Sequence, residues 1–229
     1  MELEGRGGVY AIIVAGGSGS RMNSATPKQF LEINGKPILM HSIEKFTELI
    51  PEVNIIVVLL FSLMEQWKSL CIKHHFSIPH QLVNGGETRF HSVKNALSLV
   101  PENCLVGIHD AARPLVNNKT INNAFKTAEI KGNAIPVMPL NDSIREVKNN
   151  SNFSVDRRNY FIIQTPQCFQ SSLIKNAFLR DYNTSFTDDA SVLEAMGVNI
   201  NLIEGNPENV KITTPIDFVV ATALLNYSI

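Results

Sequence analysis

Five short runs of aliphatic and β-branched residues, "VYAIIVA" (9–15), "VNIIVVLL" (53–60), "CLVGIH" (104–109), "NAIPVM" (133–138) and "VNINLI" (198–203), are spaced along the chain with helix-length segments between them. Runs of this kind read as strands buried on both faces. Such strands need helices on each side, and parallel neighbours need crossovers long enough to carry those helices. The intervening segments supply them, near 37–49, 63–75, 89–99, 117–131, 170–180 and 188–196, with a last one near 215–226. The order predicts an α/β chain with a mainly parallel, twisted sheet flanked by helices. In sheets of this type ligands sit at the carboxyl ends of the strands. At 229 residues and 44% hydrophobic content, the chain holds enough apolar material for one such core.

One stretch departs from the pattern. "DSIREVKNNSNFSVDR" (142–157) reads as two polar, alternating runs around "NNSN", which is a hairpin signal. It is too polar to form a core of its own, so it is either an idle surface hairpin or an arm, over about 139–160, that docks on a partner subunit. With the arm included, residues 1–229 are expected to form one domain.

Lys and Arg number 20 and Asp and Glu 21, a formal net charge of −1, so there is no overall attraction to a nucleic acid or an anionic membrane. Neither is expected as a partner, and an anion must be bound by local clusters. No apolar run approaches the roughly 20 residues needed to span a bilayer, and the opening "MELEGRGGVY" lacks the pattern of a signal peptide. The three cysteines, Cys71, Cys104 and Cys168, are far apart and show no C-x-x-C spacing, which argues against a disulfide framework or thiolate zinc site. A cytoplasmic location is expected.

The first strand opens into "VAGGSGSRMNSATPKQF" (14–30). Gly16, Gly17 and Gly19 let backbone N–H groups approach an anion closely. Two common phosphate loops fail on the letters: a dinucleotide fingerprint needs a third glycine where Met22 stands, and a Walker loop needs Gly-Lys-Ser/Thr where the sequence has Gly19-Ser20-Arg21. A nicotinamide-dependent oxidoreductase is thereby disfavoured. What the loop offers is Arg21, whose planar fork binds phosphate oxygens in pairs, and Lys28, a compact cation on the "TPKQF" turn.

Further cations stand at turns near strand ends. "NGGETRFHSVKNAL" (84–97) places a glycine pair before Arg89 and Ser92, at a helix start able to hold a nucleotide's sugar or base edge, or serving only as a capped helix. "IHDAARPLV" (108–116) carries Asp110, placed at a strand end to bind a magnesium ion or hold substrate hydroxyls, and Arg113; a structural Asp–Arg pair is the competing reading. "VDRRNYFIIQTPQCF" (155–169), "FTDDASVLEAMG" (186–197) and "GNPENVKITTPIDF" (205–218) add Arg157, Thr165, Thr187 and Lys211, while at least one of Asp188 and Asp189 reads as a helix cap. A near-neutral chain that gathers Arg21, Lys28, Arg89, Arg113, Arg157 and Lys211 at strand ends suits a compact, multiply charged small molecule rather than a polymer.

In this order, "VAGGSGSRMNSATPKQF", "GGETRFHSV", "HDAARP", "QTPQCF", "TDDAS" and "GNPENVKITTP" resemble the 2-C-methyl-D-erythritol 4-phosphate cytidylyltransferase family of the non-mevalonate isoprenoid route. The resemblance covers nearly the whole chain. It implies a Rossmann-like nucleotidyltransferase fold, a homodimer, magnesium, and transfer of CMP from CTP to a sugar-alcohol phosphate with release of diphosphate. It assigns Arg21 and Lys28 to transition-state stabilisation and the loop of Ala15, Gly16, Gly17 and Gly19 to the CTP phosphates; Lys211 is expected to neutralise the incoming phosphate. Gly86, Glu87, Arg89 and Ser92 fall to cytosine and ribose, and Asp110 to the metal and ribose region beside Ala111. The second-substrate site would use Asp110, Arg113, Thr187 and Lys211 of one subunit with Ser143, Arg157 and Thr165 from its partner's arm. This sequence departs from the family pattern in the single alanine before Gly16, in Glu87 and in Ser143. Pentitol phosphate cytidylyltransferases share most of these motifs and leave ribitol phosphate as a competing acceptor; a non-catalytic nucleotide sensor is the competing class. A phosphate acceptor is already ionised near neutral pH and can attack in line without a general base or an enzyme nucleophile, so no covalent enzyme intermediate is expected and His109 and the cysteines receive no role.

Overall fold

The structure, a computed structural model, describes residues 7–17 and 26–227. Four parallel strands make its centre: β1 (Val9–Val14) lies between β4 (Asn54–Leu59) and β6 (Leu105–Asp110), and β5 (Gln81–Asn84) pairs with β4. Their crossovers carry α1 (Ile38–Leu49), α2 (Phe61–Lys73) and α3 (Arg89–Leu97), as the chain order requires. Side chains of β1 alternate between two buried clusters. Ala11 and Ile13 pack with α1, Trp67 and α4 (Asn118–Lys131), whereas Ile12 packs with α3, α5 (Ser171–Ala177) and α6 (Asp189–Glu194). Helices therefore cover both faces of the sheet, and a fully buried β6 is the result. A hairpin of β2 (Glu32–Ile33) and β3 (Lys36–Pro37) precedes α1.

On the far side of β6 the sheet turns antiparallel. β11 (Gln167–Gln170) pairs with β6 and with the start of β7 (Asn133–Pro139), and β10 (Phe161–Ile163) pairs with the end of β7. Five positions separate Ile163 from Cys168 on one strand, against three between Val137 and Ala134 opposite. The two extra residues bulge at Gln164-Thr165-Pro166, which contains a cis peptide bond before Pro166. β12 (Leu202–Glu204) flanks β7 in parallel and is half exposed, not buried on both faces as its sequence implies, because it lies at an edge. α7 (Pro215–Asn226) closes the chain over Ile33, Ile38, Ala112 and Ile212, with Thr214 capping its N-terminus.

The hairpin forms where the sequence places it. Among the described residues β8 (Arg145–Lys148) and β9 (Ser151–Ser154) pair only with each other. Between them Asn149 and Asn150 take φ of 47° and 61°, the left-handed pair that a two-residue hairpin turn needs. Val147 and Phe153 on this arm are exposed.

Candidate active site

The parallel strands end level with one another, Val14 opposite Val58 and Asp110, and Leu59 opposite Asn84. Loops leaving these ends enclose a cavity of about 510 Å³. Its wall includes Ala15, Gly16, Gly17, Lys28, Gly86, Glu87, Arg89, Ser92, Asp110, Ala111 and Lys211, so eleven of the residues singled out in the sequence meet there. Gly19 and Arg21 lie outside the described residues. A second cavity of about 250 Å³ adjoins the first and is lined by Arg113, Thr165 and Thr187. Arg89, Asp110 and Lys211 belong to both walls and form the seam between them.

Asp110 is the hub of that seam. Its Oδ1 accepts from Arg89 Nη1 at 2.6 Å, and its Oδ2 faces Lys211 Nζ at 2.9 Å and Arg113 Nε at 3.2 Å. Burial alone would raise this carboxyl, but Arg89, Lys211 and Arg113 hold it well below its ordinary value, so it stays ionised. Arg89 also reaches Asp189 at 2.6 Å. Asp189 is buried and its carboxyl is raised by that burial, with Arg89 opposing. The adjacent pair thus splits its roles: Asp188 caps α6 by accepting from Ser191 N–H, and Asp189 pairs with Arg89.

The glycine-pair loop is held against α3. Gly86 N–H donates to Ser92 Oγ at 3.0 Å, and a Cβ on Gly86 would stand 2.4 Å from His91 Cβ, so glycine is required for that approach. On the other side of the cavity Gln29, buried, donates to the carbonyl of Ala15, which ties the Lys28 turn to the end of β1. Lys28 Nζ in turn reaches the carbonyl of Ile212, the residue after Lys211, at 3.2 Å.

Lys211 is delivered by "GNPENVK", and amide side chains fix that segment to the bulge. Gln164 donates to Asn206 O and accepts from Asn206 N–H, while Asn209 donates to Thr165 O at 2.8 Å. Arg113 Nη1 donates to Asn209 O at 2.8 Å. A Cβ on Gly205 would approach Gln164 Oε1 to 2.4 Å, so any larger residue there must displace the Gln164 amide. Sequence reading missed Gln29, Gln164, Asn206 and Asn209; the crowding of amide residues in "QTPQ" and "GNPEN" was their only signal.

Two residues expected to serve a partner's site lie on the arm. Ser143 and Arg157 are exposed on the arm, outside both cavities, with Arg157 donating to the carbonyl of Asn141. Thr165, expected with them from a partner's arm, instead lines its own chain's second cavity, because the bulge turns it toward Asp110. The three cysteines are free thiols raised by burial, Cys71 to about 11, and none lines either cavity. Among the described residues no helix is long and apolar enough to cross a membrane.

A family model described as 2-C-methyl-D-erythritol 4-phosphate cytidylyltransferase matches residues 9–227. The protein of that name from Bacteroides thetaiotaomicron is 48% identical over 214 residues, covering 93% of this chain and 98% of the relative. The one from Caldanaerobacter subterraneus is 41% identical over 224 residues, covering 95% and 98%. The crystal structure of the Francisella tularensis 2-C-methyl-D-erythritol 4-phosphate cytidylyltransferase superposes with a TM-score of 0.78 at 30% identity, covering 96% of this chain and all of that one. A 4-diphosphocytidyl-2C-methyl-D-erythritol synthase from Anaerococcus prevotii superposes with a TM-score of 0.81 and 96% coverage of both chains, and at 24% identity it speaks to the fold alone. With a match that runs from the first strand to the last helix, and relatives of nearly half identity over their whole length, the chain belongs to the 2-C-methyl-D-erythritol 4-phosphate cytidylyltransferase family.

Proposed function

We propose that this protein transfers CMP from CTP to 2-C-methyl-D-erythritol 4-phosphate, giving 4-diphosphocytidyl-2-C-methyl-D-erythritol and diphosphate. The observation that carries the reading is the seam: two adjoining cavities share Arg89, Asp110 and Lys211, so a nucleotide in one and a phosphorylated acceptor in the other meet beside the same cations. The larger cavity, with its glycine edge and Lys28, suits the triphosphate. The smaller, with Arg113 and Thr187, suits the acceptor.

Both reactants are polyanions, and their approach is opposed by charge repulsion unless cations are already fixed in place. The chain fixes them. Lys28 is anchored on the carbonyl of Ile212, Lys211 on Asp110, and Arg113 on Asp110 and Asn209, so charge stabilisation needs little rearrangement at the moment of reaction. Arg21 is assigned to the same triphosphate. Catalysis by position and charge requires neither an ionised thiol nor a protonated imidazole, in keeping with thiols raised by burial and with His109 pushed down to about 4.

Magnesium is part of the proposal. No group of three His, Cys, Asp or Glu side chains among the described residues is arranged to hold a metal alone. Magnesium bound to a nucleotide takes most of its ligands from phosphate oxygens and water, and one carboxylate at the cavity wall then suffices. Asp110 fits that place, since its Oδ1 carries one hydrogen bond against two contacts at Oδ2. When bound, the ion would neutralise phosphate charge. A homodimer in a cytoplasmic setting completes the reading. The arm's exposed Val147 and Phe153 offer the apolar contact, and Ser143 and Arg157, remote from their own cavities, would serve the partner's acceptor site.

The test is product formation. With magnesium, CTP and methylerythritol phosphate, phosphorus NMR should show a diphosphate diester and free diphosphate in equal amounts. Consumption of ribitol phosphate instead would reassign the acceptor, and no turnover with either would overturn the reading.

A further inference from the structure

His109 has no part in the reaction above, yet it is wholly buried against Thr165 of the second cavity's wall, its ring centre 5.2 Å from that of Phe46 in an edge-to-face arrangement. Both ring nitrogens are engaged. After Asp110 the chain turns, Arg113 N–H donating to Asp110 O, and this brings the Arg113 carbonyl back to His109 Nε2 at 3.0 Å. A carbonyl only accepts, so Nε2 carries the proton. In a neutral imidazole Nδ1 is then a bare acceptor. Thr165 Oγ1 lies 3.0 Å from Nδ1 and donates its proton there, while accepting the backbone N–H of Asp110 at 3.0 Å. The bulge makes this possible. The ladder between β11 and β6 stops at the pair Gln167 and Ile108, and the Thr165 side chain takes over the next donor of β6.

We infer that His109 is a positioning residue for the acceptor half of the site, holding Thr165 through Nδ1 and the Arg113 backbone through Nε2, and so setting the direction of the Thr165 hydroxyl. The inference rests on the reading of the second cavity as the acceptor's. A hydroxyl has one proton and two lone pairs. Here the proton goes to His109 and one lone pair to Asp110 N–H, so all that Thr165 has left for a ligand is a lone pair. That suits a hydroxyl group of a polyol and repels a phosphate oxygen. The cavity is thereby divided, with phosphate on the side of Arg113 and Lys211 and a donating hydroxyl on the side of Thr165.

Nitrogen-15 NMR of the imidazole in the wild-type protein, with magnesium, reads the tautomer directly. A protonated Nε2 and bare Nδ1 near neutral pH are expected, and the reverse overturns the inference. Kinetics separate positioning from mere structure. His109→Gln keeps a donor for the Arg113 carbonyl and loses the acceptor for Thr165; His109→Asn does the opposite. His109→Gln and Thr165→Val should each raise the acceptor KM by about tenfold or more, with the Kd for CTP alone within about twofold of wild type. His109→Asn and Thr165→Ser should lie nearer wild type in acceptor KM, and the His109→Gln/Thr165→Val double variant should be no worse than the poorer single variant. Additive losses, or a CTP Kd weakened as much as the acceptor KM, would overturn the role of His109. If His109→Gln does not fold, the tautomer and the His109→Asn measurement decide. A wild-type protein that ignores the acceptor would overturn the proposed function itself, a result distinguishable from a failure of the variants alone.

Discussion

Asp110 holds one negative charge against Arg89, Arg113 and Lys211, and this imbalance leaves the seam net positive even with Asp189 counted. The surplus is what a phosphate would neutralise. Lys28 stands across the larger cavity, and Lys28→Ala should lower kcat by at least roughly 10²-fold in steady-state assays, the scale of losing one preorganised donor. Near-normal turnover would remove Lys28 from the mechanism. His109 carries a prediction about stability. Burial is the largest influence on it, with Asp110 opposing, and lowers it from 6.5 to about 4. The unfolded chain therefore binds a proton at His109 in a pH range where the folded chain does not, so this contribution is complete above about 6.5 and is lost as pH falls toward about 4. Its full size is about 3 kcal/mol. Denaturant unfolding across that range should show the loss in the wild type and lack that component in His109→Asn.

Elements were legible to different degrees, for physical reasons. The central strands and their helices were read because apolar runs buried on both faces leave a continuous signal; β1 and β4 each fall within a residue of the expected ends. β5 was not foreseen, since "QLVN" is short and half exposed at the sheet edge. β10 and β11 escaped because the bulge interrupts what would have been one strand, and it is this interruption that brings Thr165 to the site. The same holds for function: the cations were visible as charges at turns, but Asp189 was indistinguishable from a cap until α6 placed it on Arg89. The struts between the bulge and "GNPENVK" give the prediction at this scale. Gly205→Ala would set a methyl group against Gln164, displace the strut that presents Lys211, and cost about 1–3 kcal/mol of stability. Unfolding midpoint and kcat should fall together; an unchanged midpoint would contradict the tight contact.

The whole chain joins a near-neutral surface to a locally cationic seam, and its hairpin arm contributes nothing to its own cavities. The proposed homodimer would give that arm a task. Phe153→Asp should shift the mass measured by light scattering from dimer to monomer, because a charge replaces an exposed apolar contact. A monomeric wild type would contradict the assembly. Whether one seam serves both substrates is tested most directly at Lys211, which lies on both cavity walls and faces Asp110 at 2.9 Å. Lys211→Ala should weaken binding of CTP alone by about tenfold and lower kcat/KM for methylerythritol phosphate by roughly 10²-fold or more. Loss of one with the other unchanged would mean that the two cavities do not share their cations.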